Sequence, residues 1–172
     1  MNSRSPDCRV PRSRRGASHF AVVSIALVAL IVAMVSLPRL RALGLRENAA
    51  DAERVLRRAA ELLRTPAEGG TLKELVARDR ILARSLTDGE WLDADRLRCH
   101  GYLFERVRMG ELHGLRAWPW EHGSTGLACF ALWRGTGGEL DGRVLFNPNE
   151  RGQASGLGNP PAIGEPGWRA LD

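Results

Sequence analysis

The stretch Phe20-Ala-Val-Val-Ser-Ile-Ala-Leu-Val-Ala-Leu-Ile-Val-Ala-Met-Val-Ser-Leu37 contains no charged side chain, and its only polar residues are two serines. The uncharged run around it extends from residue 16 to residue 38. A helix that crosses a bilayer needs about 20 apolar residues, and helices in the core of soluble proteins are rarely apolar on every face. The run therefore predicts one membrane-spanning helix, with membrane lipid as its partner.

Most of the positive charge of the chain lies before this helix. The formal net charge is +5 over 172 residues, and residues 1–16 contain five arginines against one aspartate. The remainder is nearly neutral and has no basic stripe with interleaved aromatic side chains, so we exclude nucleic acid as a partner. Arginines beside a membrane helix favour the cytoplasmic side. Although Arg39, Arg41 and Arg46 reduce the asymmetry, we expect the N-terminus in the cytoplasm and the globular part outside.

Helix is expected to continue beyond the membrane, from about residue 18 to residue 64. Pro38 removes one backbone hydrogen bond, so a kink is expected there. Apolar side chains then recur at steps of four and three, which places them on one helix face: Leu45, Ala49, Ala52, Leu56, Ala59 and Leu63. We expect this stripe to pack against the protein's own globular domain.

The second half of the chain predicts a helix followed by a sheet. Thr71 and Glu74 form the pattern of a capping box for a helix that ends near residue 86. Four segments then have the apolar and aromatic content of strands: 100–107, 114–120, 127–133 and 142–147. Their short connections favour an antiparallel meander, in which Pro119 restricts the second strand to an edge or a bulge. Residues 151–172 predict a loop that wraps the sheet with Trp168.

These segments predict an α+β fold with a long N-terminal membrane-spanning helix, a short second helix and a small antiparallel sheet. The expected boundaries are a basic cytoplasmic leader over residues 1–16 and a transmembrane helix over 17–38. An amphipathic extension of the helix follows over 39–64, and an α+β globular head occupies 65–172.

The N-terminal region resembles type IV prepilins and type II secretion pseudopilins. The resembling features are the arginine-rich leader that ends in Gly16, the apolar helix after it, and Pro38 at the twenty-second position counted from Ala17. In that family a leader peptidase cuts after the glycine, and the helix packs in the core of a filament. The resemblance implies processing between Gly16 and Ala17, a single-pass location in the bacterial inner membrane, and prepilin peptidase and other pilin-like subunits as partners.

Two positions depart from the pattern of that family. The usual glutamate at the fifth mature position is here Ala21, and the usual aromatic first residue is here Ala17. In the family, that carboxylate pairs with the N-terminal amine of a neighbour inside the membrane, where charged pairs strongly constrain register. The resemblance therefore implies a minor or tip component, with Phe20, Ala21 and Pro38 as residues that shape the assembly helix.

The segment from Gly101 to Leu171 resembles uncharacterised bacterial pilin-like envelope domains. The shared features are Gly101-Tyr-Leu-Phe104, Trp118-Pro-Trp-Glu-His-Gly-Ser-Thr-Gly126 and the closing Gly167-Trp-Arg-Ala-Leu171. This resemblance implies a fold and no activity.

The sequence contains no pattern that predicts a catalytic centre. Its histidines are His19, His100, His113 and His122. None of them has the spacing of a helical ligand pair, and no Cys-x-x-Cys pair accompanies them, so no metal is expected. Asp93 and Asp95 lack the dense oxygen ligands of a calcium loop, which favours solvation at the surface. We expect no enzyme activity, no cofactor and no small-molecule substrate.

Cys99 and Cys129 share one side of the membrane in the expected orientation, whereas Cys8 lies in the leader. Their spacing leaves two alternatives open, a Cys99–Cys129 disulfide or two buried thiols.

Two functions follow from the sequence. The first is a membrane-anchored, minor pseudopilin-like subunit of a secretion or pilus-type assembly. The alternative is an uncleaved single-pass envelope protein whose extracytoplasmic head binds a partner or a cell-wall component.

Overall fold

The structure is a computed structural model that describes the following residues: 15–63, 70–135, 138–162 and 166–171. The chain divides into two compact units, Met1–Arg41 and Ala42–Asp172. The second unit, called the head below, contains the end of the first helix together with all later elements. Most of the amphipathic extension, which the sequence analysis separated from the head, is therefore part of it.

Within the described residues, three helices precede seven strands. The helices are α1 (Arg15–Leu62), α2 (Leu72–Arg78) and α3 (Arg80–Ser85). The strands are β1 (Glu90–Trp91), β2 (Arg96–Cys99), β3 (Tyr102–Met109), β4 (Leu112–Pro119), β5 (Cys129–Arg134), β6 (Val144–Asn147) and β7 (Arg169–Ala170). Each strand pairs antiparallel with the next, so the sheet order is β1 to β7. The predicted α+β class and the antiparallel meander are confirmed.

Helix α1 has 48 residues and contains Pro38 in its interior. Its final turns carry the predicted apolar stripe, because Ala52, Leu56 and Ala59 are fully buried, as is Leu63 one residue beyond the helix. These side chains share one apolar cluster with α2, α3 and the sheet. Burial of a leucine contributes roughly 1.5–3 kcal/mol. The prediction that this stripe packs against the protein's own domain is confirmed.

The predicted second helix is in fact two short helices, separated at Asp79. The capping box at its start is confirmed, because Thr71 Oγ1 accepts from the Glu74 N–H at 3.2 Å while Glu74 Oε2 accepts from the Thr71 N–H at 3.3 Å. At Asp79 the backbone is extended, and Oδ1 accepts from the N–H groups of Ile81 and Leu82. This aspartate caps a new helix, so the prediction of one continuous helix was wrong.

The sheet has two covered faces, because successive side chains of a strand point to opposite sides. The face toward α1 is built mainly from these buried residues: Leu97, Cys99, Tyr102, Phe104, Leu115, Ala117, Phe130 and Leu132. The opposite face, called the outer face below, contains these: Leu103, Val107, Trp118, Cys129, Ala131, Trp133 and Leu145. Burial on both sides explains why β5 has a continuous apolar sequence.

The segment after β6 covers the outer face. Trp118 Nε1 donates to the Gly156 carbonyl at 2.8 Å, and Arg116 Nη1 donates to the Pro161 carbonyl at 2.7 Å. Ala154 and Trp168 pack against the outer-face cluster. The predicted wrapping of the sheet is confirmed for the described part of this segment, which also contributes β7.

Strand β4 lies inside the sheet, so the prediction of an edge or a bulge was wrong. Its pairing with β5 ends at Ala117 and Phe130, whereas its pairing with β3 continues to Pro119 and Tyr102. Pro119 therefore lies beyond the last β5 partner, at a position where its missing N–H removes no bond of the ladder. Its carbonyl accepts from the Gly156 N–H at 3.1 Å.

Candidate functional site

The first part of α1 is an apolar helix with exposed side chains. Every large apolar residue between Phe20 and Leu43 is more than half exposed, and Phe20 is 77% exposed. The helix is long and apolar enough to cross a membrane, by length and composition. Soluble proteins rarely expose contiguous apolar patches larger than a few hundred Å². This part of α1 is therefore a candidate membrane span near the N-terminus.

The predicted processing and assembly residues lie in this part of α1. Gly16 and Ala17 have helical backbone. Residues 1–14, which include Cys8, lie outside the described residues. Phe20, Ala21 and Pro38 are exposed. A helix surface made only of apolar and small side chains suits lipid or a second apolar helix.

Within the head, α1 contacts the turn between β2 and β3. Asp51 Oδ2 lies 3.0 Å from His100 Nδ1, and Asn48 Nδ2 donates to the Thr125 carbonyl at 2.8 Å. His100 and Gly101 both have positive φ, at 49° and 74°, as a tight hairpin turn requires. A Cβ on Gly101 would lie 2.8 Å from Thr125 Cβ. The turn therefore holds α1 and the β4–β5 loop close together.

Two tryptophans, Trp118 and Trp120, pack together in the outer-face cluster. Trp118 is buried and Trp120 is half-buried. The Arg98 guanidinium carbon lies 4.5 Å from the ring centroid of Trp120, and that of Arg116 lies 5.3 Å from Trp118. Such cation–π contacts extend an aromatic cluster toward solvent. Both tryptophans therefore cover this side of the core.

In the structure Cys99 and Cys129 are two buried thiols that are not joined to each other, which is the second of the two alternatives. Cys99 pairs with Tyr102 in the cluster that faces α1, whereas Cys129 pairs with Asn147 and belongs to the outer face. Side chains on opposite faces of a sheet cannot meet at disulfide distance. Burial, assisted by the nearby Asp88 carboxylate, raises the pKa of the Cys99 thiol to about 11. A thiol of this kind is chemically inert.

The histidines of the head are held at separate places. His100 contacts Asp51, His113 Nδ1 lies 3.1 Å from the Glu111 carbonyl oxygen, and the His122 N–H donates to Ser155 Oγ at 3.0 Å. Across the part of the chain that the structure describes, no three His, Cys, Asp or Glu side chains form a group that could hold a metal ion.

Asp93 and Asp95 are engaged in contacts within the protein. Asp93 Oδ2 accepts from Arg96 Nε at 2.6 Å, and Asp95 Oδ2 accepts from Arg108 Nη2 at 2.9 Å. Asp95 Oδ1 also accepts from the Leu72 N–H at 3.0 Å. These carboxylates therefore connect the β1–β2 turn to β3 and to the start of α2, a structural role that the sequence analysis missed.

A cleft of about 770 Å³ lies beside the outer face. Its polar lining consists mainly of these residues: Asn147, Glu150, Arg151, Gln153, Asn159 and Arg169. Both amide atoms of the buried Asn149 bind the Ala154 backbone, at 3.1 and 2.8 Å, and this fixes one wall of the cleft. Its volume lies within the roughly 300–1,000 Å³ of ligand pockets. No sequence pattern indicates this cleft, because most of its lining residues come from a segment without periodicity.

No family model, curated protein or solved structure matches this chain.

Proposed function

We propose that this protein is a membrane-anchored, pilin-like subunit that serves as a minor component of a secretion or pilus-type assembly. In this proposal α1 inserts into the bacterial inner membrane once, with the N-terminus in the cytoplasm. The head lies outside the cytoplasm and acts through interactions with other proteins, without catalysis.

The observation that supports this proposal most strongly is the division of α1 into two kinds of surface. Before Leu43 the large apolar side chains are exposed, whereas Ala52, Leu56 and Ala59 are fully buried in the head. One helix therefore supplies an apolar anchor and part of a folded domain. A helix of this kind in a lipid environment satisfies its own backbone hydrogen bonds while its side chains contact lipid.

The leader supports the prepilin route. Gly16 separates five arginines from the apolar run, which begins four residues later at Phe20. Prepilin peptidase is the partner that would recognise this junction, and other pilin-like subunits would pack against the exposed helix. Because Ala21 supplies no carboxylate to a neighbouring amine, a minor position in the assembly is the one that fits this chain.

The substitution Gly16→Ala tests the processing step directly. We expect wild-type protein isolated from membranes to begin at Ala17, and the Gly16→Ala variant to retain its leader. Gly44→Ala is the matched control, because a Cβ at Gly44 would meet nothing within 4 Å, and this variant should be processed like wild type. Normal processing of the Gly16→Ala variant would contradict the proposal.

A second function is favoured by the cleft and by Ala21. An uncleaved single-pass protein would keep its leader, and its head would bind a partner or a cell-wall component in the cleft. Neither Gly16→Ala nor Gly44→Ala would change the mass of such a protein beyond the substitution itself. The N-terminal residue therefore distinguishes the two functions.

A further inference from the structure

We propose that one end of the head binds the surface of the lipid bilayer. This end, called the helix-entry end, comprises the start of the head at residues 42–48, the β2–β3 turn, the β4–β5 loop and residues 155–159. The proposal rests on the membrane anchor proposed above and adds a second lipid contact, made by the head itself.

Hydrogen bonds gather these segments into one surface. Asn48 of α1 donates to the carbonyl of Thr125 in the β4–β5 loop. In the same loop, the His122 N–H donates to Ser155 Oγ at 3.0 Å. The Ser155 N–H donates to the Asn159 carbonyl at 3.1 Å, which closes a tight loop around residue 157. The helix-entry end is thus built from four segments that are distant in sequence.

Three leucines are exposed on this surface. Leu43, Leu127 and Leu157 have relative exposures of 54%, 50% and 48%. Leu127 follows Gly126, whose backbone packs against the buried Tyr102 side chain. Leu157 follows Gly156, whose N–H donates to the Pro119 carbonyl. These neighbouring backbone contacts hold the two loops in place. The leucines are therefore presented outward on fixed backbone.

An amphipathic aromatic residue lies beside them. Trp120 is half-buried, its N–H donates to the Gly101 carbonyl at 2.9 Å, and the Arg98 guanidinium stacks on its ring. Tryptophan and arginine are the residues that combine an apolar body with a polar group suited to the headgroup layer. Charged residues of both signs, Arg46 and Glu121 among them, are exposed here as well.

The position of the anchor in the chain identifies lipid as the occupant. The apolar run ends at Leu37, and Leu43 follows after six residues, a helical rise of about 9 Å. The polar layer on each side of a bilayer is roughly 5–8 Å thick. The chain thus enters the head about one headgroup layer beyond the hydrocarbon. Because so few residues separate the anchor from the head, lipid is the occupant that we infer for the segments gathered around this entry.

Site-specific fluorescence quenching tests the proposal on the full chain. A Cys8→Ser background leaves the buried Cys99 and Cys129, and single cysteines are then introduced as Val28→Cys, Leu127→Cys, Leu157→Cys or Met109→Cys. Each is labelled with an environment-sensitive fluorophore and reconstituted into phosphatidylcholine–phosphatidylglycerol vesicles that carry a nitroxide on the headgroup or on the acyl chain. Met109, 64% exposed at the β3–β4 turn, is the matched apolar control at the other end of the strands.

We expect the headgroup nitroxide to quench the probes at Leu127 and Leu157 at least twofold more than the probe at Met109. The acyl-chain nitroxide should quench the probe at Val28. In the Leu157→Cys protein, Leu127→Ser should reduce the quenching, whereas Met109→Ser should leave it unchanged.

Two results would overturn the inference in different ways. Quenching at Val28 without excess quenching at Leu127 and Leu157 would show that the anchor inserts while the helix-entry end stays away from lipid. If the fluorescence of the probe at Leu127 or at Leu157 then decreased by self-quenching as the protein density in the vesicles rises, the surface would bind a second copy instead. An unquenched probe at Val28 would reject the membrane anchor and the proposed function with it.

Discussion

Arg58 Nη2 lies 2.6 Å from Asp79 Oδ2, and this ion pair joins α1 to the junction between α2 and α3. Asp79 is nearly buried, and its second oxygen accepts from the N–H groups of Ile81 and Leu82 at 3.0 and 2.8 Å. One carboxylate therefore caps α3 and holds it against the C-terminal part of α1. The packing of α3 against α1 depends on this residue.

Replacement of Asp79 is expected to destabilise the head. Asp79→Ala removes the cap and the charged partner of Arg58, which should lower the free energy of unfolding by about 2 kcal/mol. Asp79→Asn keeps a capping oxygen and should cost less. Urea unfolding of the full chain in detergent measures both. Glu61→Ala is the control, because Glu61 also contacts Arg58 but is exposed; equal losses for Asp79→Ala and Glu61→Ala would contradict the role assigned to Asp79.

The same carboxylate predicts a pH dependence of stability. The hydrogen bond from Arg58, together with the N–H of Leu82, lowers the pKa of Asp79 below its ordinary value of 3.8. A lowered pKa means that the ionised form favours the folded state. Its contribution is complete above the ordinary pKa and is lost as the pH falls through the lowered one.

We therefore expect the urea midpoint to fall as the pH is lowered from about 5 to about 2, and to fall less in the Asp79→Asn variant. Identical pH profiles of the wild-type and Asp79→Asn proteins would show that Asp79 does not carry this dependence.

The two head cysteines are expected to be reduced and unreactive in the folded protein. In a Cys8→Ser background, iodoacetamide at about pH 8 should modify neither Cys99 nor Cys129, because both are buried, and the raised pKa of Cys99 leaves little of that thiol as thiolate. Unfolding in urea without reductant should expose two alkylatable thiols, counted by intact mass. An intact mass lower by two hydrogen atoms than that of the dithiol form, with no alkylation after unfolding, would demonstrate the disulfide that the sheet geometry excludes.

Gly126 is expected to tolerate no side chain. An added Cβ would lie 2.6 Å from Tyr102 Oη and 2.7 Å from its Cε2 atom, and Tyr102 is fully buried. Gly126→Ala should therefore lower the free energy of unfolding by about 1–3 kcal/mol. Gly158→Ala is the matched control, since a Cβ there meets nothing within 4 Å. Unfolding curves that do not differ between the two variants would refute the close packing.

The elements that the sequence predicts well are those specified by local patterns. The stripe that contains Leu56 follows the helical repeat, and the capping box at Thr71 needs only residues three positions apart. Strands β3, β4 and β5 have six to eight residues, which is long enough for their apolar content to be visible, and the four residues of β6 begin with three apolar ones. Strands β1 and β7 have only two residues each, and β2 has four of which two are arginines, so none of the three gives a clear strand signal.

The features that the sequence missed depend on contacts between distant segments. Asp79 interrupts a pattern that is otherwise helical, and its partner Arg58 lies 21 residues earlier. Pro119 would be incompatible with an interior strand only if β5 paired with β4 at this position and needed its N–H. The register shows that the pairing with β5 ends at Ala117. The separation of Cys99 from Cys129 likewise follows from the register of four strands, β2 to β5. The cleft and the helix-entry end combine loops that carry no periodic pattern.

The most direct test of the central claim is the N-terminal residue and intact mass of the protein isolated from native membranes. Processing as a prepilin predicts a chain that begins at Ala17, without the arginine-rich leader. A chain that still begins at Met1 would contradict the prepilin route and would leave an uncleaved membrane anchor whose head binds its partner directly.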